Sequence, residues 1–597
     1  VDQRRIARRI SFTPIAVALV VASAAAWQTP LTQFVGGTGD IVGFAVDAAG
    51  DVNGDGFPDL LVGAPRAVTA AGINDGVAWI ASGRFLATGV GPARIHTWDG
   101  TPNLALTPSR FGHALAGGRD VDRDGVRDVV VGSPNDDTGG ISGGSVSVFS
   151  GASGARIGFF TSGPYQLHGT SVAFAGDVNG DGWVDVLGGA PVSDSTFGVA
   201  YAHAHVYSGE WMARTAAGQT PVTTAELHDI VGLYNHDDFG ASVASIGDLD
   251  GDGRDDFAVG GKRVGAANGG YVAIYRGGTT VPFVVVHGET VHDSFGGALA
   301  DLGDLDGDGL HELAVGAWAD DIGATNSLEG SVTVLRGAWL LATGFGNPPV
   351  GPRDLWRRSG SAVYAFYGSW MTAVGDLDGD GASEVAVGAP QGGSATATGN
   401  GYVEVVSGRT GTLLFRSDGA TFSGEFGRGI AGPGDIDGDG RSDVAIGAPY
   451  DGQGGASAGS IVVLRGFPIV GTPVCAANAT VNSSGSVARL VTRGSTSQAI
   501  GALLLELSGA PSARPALFFR GTTTTLAPFG NGVRCAGGQI ARLGVRFTEP
   551  NGSAVLNFDI GATAVGSTLV FQTWLEDAFA GGALFNTSDA VSIVVGP

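Results

Sequence analysis

The chain has almost no lysine and almost no cysteine. Lys262 is the single lysine in 597 residues, and Lys plus Arg total 33 against 57 Asp plus Glu, a formal charge of −24. Nucleic-acid binding depends on clustered basic side chains, so this balance argues against a nucleic-acid partner. Charged residues of both signs make up only 15% of the chain and hydrophobic ones 43%, too apolar a composition for disorder. Beyond the first 26 residues no run is apolar and long enough to span a bilayer. The only cysteines are Cys475 and Cys535. In an exported chain such a lone pair predicts one disulfide. Glycine, by contrast, is abundant at 104 residues but lacks the strict triplet period of collagen, which points to a turn-dense all-β protein.

Export is predicted from residues 1–26. A basic stretch from Arg4 to Arg9 precedes an apolar run from Ile15 to Val21, and small residues come next from Ala22 to Ala26. That three-part plan is a signal peptide, and its apolar run falls short of the ~20 residues of a membrane helix. The mature protein is therefore expected to be secreted or held at the cell surface.

Self-similarity dominates the chain from there to about Gly466. A nine-residue unit occurs seven times, as DVNGDGFPD, DVDRDGVRD, DVNGDGWVD, DLDGDGRDD, DLDGDGLHE, DLDGDGASE and DIDGDGRSD. Eight residues before each first Asp stands a glycine (Gly43, Gly112, Gly169, Gly240, Gly296, Gly368, Gly427), usually after an aromatic residue. Twelve residues after it stands another (Gly63, Gly132, Gly189, Gly260, Gly316, Gly388, Gly447), often opening Gly-Ala-Pro. A run of period two comes after that, such as GSVSVF from Gly144 or GYVAIY from Gly270. Each unit thus reads as strand, Asp-rich loop, strand and third strand, with a fourth strand in the variable connector. Seven four-stranded units without distinct capping repeats predict a seven-bladed β-propeller rather than a solenoid.

The first Asp residues are 69, 57, 71, 56, 72 and 59 apart, so long and short connectors alternate. The long ones carry RFLATG from Arg84, EWMART from Glu210 and AWLLATG from Ala338, read as short helices. These pack over a blade edge or form a ligand-binding ridge through Phe85, Trp211 and Trp339. The seventh unit supplies only three strands, so the segment from Trp27 to Gly36 is predicted to close the ring as its outer strand.

Alternate acidic side chains around a tight Gly-containing turn gather hard oxygen donors, the set that selects Ca²⁺ over softer metals. Positions one, three, five and nine are expected to ligate through side chains and position seven through its backbone carbonyl. The first loop offers Asp51, Asn53, Asp55, Phe57 and Asp59, and the second Asp120, Asp122, Asp124, Val126 and Asp128. Asp177, Asn179, Asp181, Trp183 and Asp185 form the third set; Asp248, Asp250, Asp252, Arg254 and Asp256 form the fourth. The fifth comprises Asp304, Asp306, Asp308, Leu310 and Glu312, the sixth Asp376, Asp378, Asp380, Ala382 and Glu384, and the seventh Asp435, Asp437, Asp439, Arg441 and Asp443. Position twelve, where a helix-flanked EF-hand needs Glu, is apolar or Gly throughout. About seven Ca²⁺ ions held by strand hairpins are expected.

With its Phe-Gly to Gly-Ala-Pro frame and DxDxDGxxD loops, the stretch from Trp27 to Gly466 resembles the FG-GAP propeller of integrin α subunits and similar bacterial extracellular proteins. The resemblance implies seven blades, calcium on one face and ligand binding mostly on the other. The chain departs from it by loading all seven loops and by writing Gly260-Gly261-Lys262 and Gly316-Ala317-Trp318 in place of Gly-Ala-Pro. Residues 467–597 turn to Ser, Thr and Ala with alternating stretches such as ALLLELSG from Ala502, predicting a small β-sandwich. Their PFGNGVRCAGG, FQTW and FNTSDA segments resemble a C-terminal domain of exported bacterial repeat proteins.

No catalytic residue is predicted. GISGG from Gly140 and GASAG from Gly455 match a nucleophile elbow only at the level a glycine-rich chain produces by chance. His203 and His205 share one strand face, a spacing that could bind a transition metal, but with no Cys or third His nearby in sequence the favoured reading is a core or solvent-facing pair. The expected function is a secreted, calcium-binding, non-catalytic adhesion module for a protein or glycan ligand. The rival is a carbohydrate-active enzyme with carboxylates gathered in the propeller tunnel.

Overall fold

The structure, a computed structural model, describes residues 30–466 except 71–73, 104–107, 192–200, 235, 263–268, 290–292, 322–326, 349–350, 378–380, 391–398 and 439–440, and beyond 466 chiefly the strands named below. The predicted signal peptide lies outside the described residues. Residues 30–466 form one compact unit and residues 467–597 another.

Seven four-stranded antiparallel sheets make up the first unit among the described residues. The first sheet runs Ala45–Gly50, Asp59–Ala64, Val77–Ala81, Arg94–Asp99 from its inner to its outer strand. The other inner strands are Ala114–Arg119, Ser171–Gly176, Phe239–Gly247, Phe295–Asp301, Trp370–Ala373 and Gly429–Gly434. Each packs beside the next, and Gly429–Gly434 returns to Ala45–Gly50, so the fold is a closed β-propeller.

Closure uses the predicted strand. Pro30–Val35 pairs antiparallel with Ser460–Leu464, Phe34 opposite Ile461, and forms the outer strand of the seventh sheet. The first and last parts of this unit thus share one sheet, which leaves the ring without a free seam.

Second and third strands are buried along nearly their whole length, as in LLVGA of Asp59–Ala64 and VAWIA of Val77–Ala81. Alternation persists, but both faces are apolar because each meets a neighbouring sheet. Leu61 and Ile80 pack with Val129, Val131 and Phe149 of the second sheet. Leu60 and Val62 pack with Ile461 and Val463 of the seventh.

The two glycine positions of the repeat explain how the sheets approach so closely. The earlier glycine has φ between +80° and +94° in all seven units, a conformation costly for any residue with a Cβ. The later glycine lies under its neighbour in the next sheet. A Cβ on Gly63 would meet the Gly112 carbonyl oxygen at 2.2 Å, and one on Gly447 would meet that of Gly43 at 2.0 Å, completing the circuit.

Helices α1 (Gly83–Thr88), α2 (Gly209–Ala216) and α3 (Gly337–Gly344) come after the third strands of the first, third and fifth sheets. Each leans on the outer strand of the preceding sheet: α1 on Pro30–Val35, α2 on Arg156–Thr161, α3 on Pro282–His287. Trp211 lies 6.0 Å from Phe160, and Trp339 joins the apolar cluster of Val284 and Val286. The predicted ridge is therefore a set of clasps. Phe85, Trp211 and Trp339 are half-buried, with Trp211 and Trp339 turned toward the neighbouring sheet.

In the second unit, Arg489–Gly494, Ala502–Ser508 and Ala554–Asp559 form one sheet, and Thr472–Pro473, Phe585–Val594, Thr568–Glu576, Pro515–Gly521 and Ala541–Phe547 another. Thr523–Phe529 and Gly532–Gly537 form a hairpin. Leu505, Leu507 and Leu556 of the first sheet share a core with Phe518, Phe571 and Leu575 of the second. Cys535 is buried on the hairpin, while Cys475 lies outside the described residues.

Candidate metal centre and ligand face

Every Asp-rich loop joins an inner strand to the second strand of its sheet, so all seven sit at one edge of the ring. Among the described residues, the first three ligand positions of these loops are exposed or half-buried and turn back on their own backbone. In the fourth loop Asp248 Oδ1 accepts from Gly251 N at 2.8 Å and its Oδ2 from Gly253 N at 2.8 Å. These contacts wind the loop and draw its carboxylates inward. Ligating oxygens of Asp248, Asp250 and Asp252 lie within 4.8 Å of one another, as do those of Asp304, Asp306 and Asp308. In the second and seventh loops the same holds for positions one, three and nine: Asp120, Asp122 and Asp128, and Asp435, Asp437 and Asp443. Asp378, Asp380 and Asp439 lie outside the described residues.

Position nine has a second task that its spacing in the sequence does not reveal. Asp59, Asp128, Asp185, Asp256, Glu312, Glu384 and Asp443 are completely buried. Asp59 accepts from Val52 N at 2.9 Å with one oxygen and from Gly83 N at 2.9 Å with the other. Asp128, Asp185, Asp256 and Asp443 repeat this bridge to Gly151, Gly209, Gly277 and Gly466. The carboxylate ties the loop to the turn after the third strand. Only glycine fits that turn, because a Cβ on Gly83 would fall 1.9 Å from the Pro58 carbonyl oxygen. This third repeating glycine is visible in the sequence, 21 to 25 residues after position nine.

Burial pushes the position-nine carboxyls up: Asp59 to about 6, Asp128 and Asp256 to about 7 and Asp185 to about 8. The backbone N–H groups oppose this, and the loop's own carboxylates add to it. Such a set of hard oxygens, partly buried and mutually repelling, fits a divalent cation of the Ca²⁺ type. Among the described residues, three loops also carry an internal cation. The residue before the brace glycine is Arg in the fourth, fifth and seventh sheets, and Arg276 reaches Asp250 at 3.3 Å, Arg336 reaches Asp306, and Arg465 reaches Asp437 at 2.7 Å. Elsewhere that residue is Ser82, Ser150, Ser208 or Ser407.

Five stretches of the chain, residues 42–80, 111–149, 168–205, 370–406 and 426–464, match the family profile described as FG-GAP repeat. The chain carries FG-GAP repeats. The profile passes over the fourth and fifth sheets, the two that lack the proline of Gly-Ala-Pro. The FG-GAP region is also similar to integrin alpha-5 of Xenopus laevis, 29% identical over 246 residues covering 40% of this chain and 22% of the relative. Against integrin alpha-V of Gallus gallus the identity is 32% over 218 residues, 35% of this chain and 20% of that protein. Integrin alpha-PS2 of Drosophila melanogaster is 32% identical over 232 residues, 36% of this chain and 15% of its own length. The chain thus spans about a fifth of the length of these curated relatives. Among the described residues no helix is long and apolar enough to cross a membrane.

At the ring edge away from the Asp loops, the inner strands of the FG-GAP propeller begin beside an arc of aromatic and cationic side chains. Arg428 lies 4.8 Å from the Trp370 ring and 4.1 Å from that of Phe44, and Phe44 lies 4.8 Å from His113. These four residues belong to the sixth, seventh, first and second sheets in succession. Arg110 joins them, its guanidinium pulled down by burial and by the charges of Arg66 and Arg428. Burial, with Arg428 and Arg110 adding, drives His113 down to about 3, so it is neutral at physiological pH.

Proposed function

We propose that the chain is an exported, calcium-braced, non-catalytic binding module whose FG-GAP propeller captures an anionic protein or glycan ligand. The observation that carries this reading is the arc of Trp370, Arg428, Phe44, Arg110 and Arg66 in a chain of net charge −24. Basic side chains are scarce here. Arg428 lies over two aromatic rings, and Arg110 and Arg66 add their charge nearby, so the arc supplies both charge attraction and flat apolar contact, the pairing that recognises carboxylate-bearing loops or acidic sugars. In this reading residues 1–26 are removed on export, residues 27–466 form the propeller, residues 467–597 form a separate sandwich, and Cys475 pairs with Cys535. The Asp loops, filled by about seven Ca²⁺ ions, are the scaffold for the opposite face. Similarity to integrin α subunits supports an adhesive role for that face.

The test is to probe the mature chain against acidic glycans and extracellular matrix proteins, with Ca²⁺ and with chelator. Binding is expected in Ca²⁺, with a loss of about tenfold or more on Arg110→Glu, whose exposed side chain leaves the fold intact. A ligand bound equally well by Arg110→Glu and in chelator would overturn the reading.

A further inference from the structure

The third sheet holds a second group of metal-competent side chains with different chemistry. His203 and His205 stand two residues apart on the third strand, His203–Tyr207, and Asp229 and Glu226 lie on the adjacent outer strand, Glu226–Val231. Register places His205 directly opposite Asp229. His203 Nδ1 lies 2.7 Å from Asp229 Oδ1, while His205 Nδ1 lies 3.7 Å from the same oxygen and 2.6 Å from Glu226 Oε1. Ligating atoms of His203, His205 and Asp229 fall within 4.8 Å of one another. The group is remote from the Asp loop. His203 pairs with Ala190 at the far end of the second strand, whose first residue, Asp185, closes that loop.

We propose that His203, His205 and Asp229 bind one borderline transition-metal ion such as Zn²⁺, with Glu226 at its edge. Two imidazole nitrogens and a carboxylate form the mixed nitrogen and oxygen set that Zn²⁺ takes and Ca²⁺ does not. Bonds of ~2.0–2.1 Å put neighbouring donors of a tetrahedral ion ~3.3 Å apart. The two Nδ1–Oδ1 distances, 2.7 and 3.7 Å, bracket that value.

Two further observations separate this group from an ordinary packed pair. The histidines are held in a ladder: His203 and His205 stack at 5.7 Å and 6°, His205 and Tyr207 at 6.0 Å and 16°, and Tyr207 and Phe160 at 3.9 Å and 8°. Stacking fixes the rings before any ion arrives, which lowers the ordering cost of binding. Finally, among the described residues Asp229 and Glu226 pair with no Arg or Lys, only with these histidines. With neutral imidazoles the two carboxylates leave a local charge that a divalent ion cancels. Asp229 and Glu226 are half exposed, giving the ion an open path from solvent.

The experiment uses the full chain saturated with Ca²⁺, so that the Asp loops do not report. Zn²⁺ is titrated by calorimetry, and Co²⁺ is added as a spectroscopic probe. One equivalent of Zn²⁺ is expected to bind, and Co²⁺ to give the visible d–d bands of a low-coordinate site. His203→Gln and the exposed Asp229→Asn are each expected to weaken Zn²⁺ at least ~100-fold and abolish the Co²⁺ bands. Their calcium-dependent melting temperature should stay at the wild-type value. Failure of the wild type to take up Zn²⁺ under these conditions overturns the proposal, as does undiminished binding by both variants.

Discussion

At the residue scale, the seven loops are not equivalent, and the difference lies outside the nine-residue unit. Arg276, Arg336 and Arg465 each place a guanidinium against the position-three carboxylate of their loop. That charge competes with a bound ion. In a solvent-exposed loop one unit charge at ~4 Å is worth about 1 kcal/mol, a factor of about five in affinity. Arg276→Ser, which installs the residue found at Ser150, is expected to tighten Ca²⁺ at the fourth loop about fivefold, and Ser150→Arg to weaken it at the second by a similar factor. Calorimetric titration of each variant against the wild type reads the difference, and equal affinities in all three would remove the role given to the arginines. Asp47 offers a pH test on a residue outside the loops. It sits on the first inner strand, and its Oδ2 accepts from Gly117 N of the second sheet at 2.9 Å. Burial raises its carboxyl to about 6 against the partial opposition of the Ala48 and Gly117 N–H groups. The folded pKa exceeds the unfolded one, so the fold holds the proton more tightly. Its contribution to stability is full below about 4 and is lost as pH rises through 6. Asp47→Asn should therefore flatten that part of the pH dependence between pH 4 and 7, measured by denaturant unfolding.

At the element scale, the strand Pro30–Val35 carries more of the fold than its six residues suggest. It pairs with Ser460–Leu464 and also receives α1. Phe34 is buried in the cluster that joins the seventh sheet to the first, together with Leu86 of α1. Phe34→Ala is expected to cost ~3–5 kcal/mol, as buried aromatic truncations do, seen as a lower denaturation midpoint with the secondary structure retained. A cost under 1 kcal/mol would mean that the seam is held by backbone pairing alone. The closing strand and the three helices were legible in the sequence because each breaks a strict repeat: one unit lacks a strand, and alternate connectors run long. The clasp contacts were not legible. Trp211 and Trp339 look like exposed aromatics until the preceding sheet is in place beneath them. The same limit hid the arc of Trp370, Arg428, Phe44 and His113, in which Trp370 and Arg428 stand hundreds of residues from Phe44 and His113 and meet them only through ring closure. His203 and His205 were visible as a pair, but Asp229 joins them through cross-strand register across α2 and its connector. Position nine was legible from its spacing as a carboxylate that closes the loop. Its brace to Gly83 and the equivalent glycines requires knowing that the third strand returns beside the loop.

At the scale of the whole molecule, the design concentrates like charge at one edge of a ring, which the ions proposed for the loops would offset. Position-nine carboxyls such as Asp59 tie their loops to their own sheets, and Gly63 through Gly447 hold each sheet to the next. Local loss of a loop is thereby coupled to the circuit. Ions that bind only the folded state stabilise it by mass action, about 2.7 kcal/mol per site at a concentration a hundred times the dissociation constant. Several such sites on one cooperative ring should move its melting temperature steeply with calcium. The second unit, residues 467–597, contains no DxDxDG loop and has a core of its own in Leu505, Phe518 and Phe571. Scanning calorimetry of the intact chain is therefore expected to show two transitions. Chelator should shift the larger one down by many degrees and leave the smaller one in place, and raising Ca²⁺ through the millimolar range should restore it. If both transitions moved together, the two units would be one cooperative block; if neither moved, the Asp loops would be solvated turns and the metal-braced reading would fall.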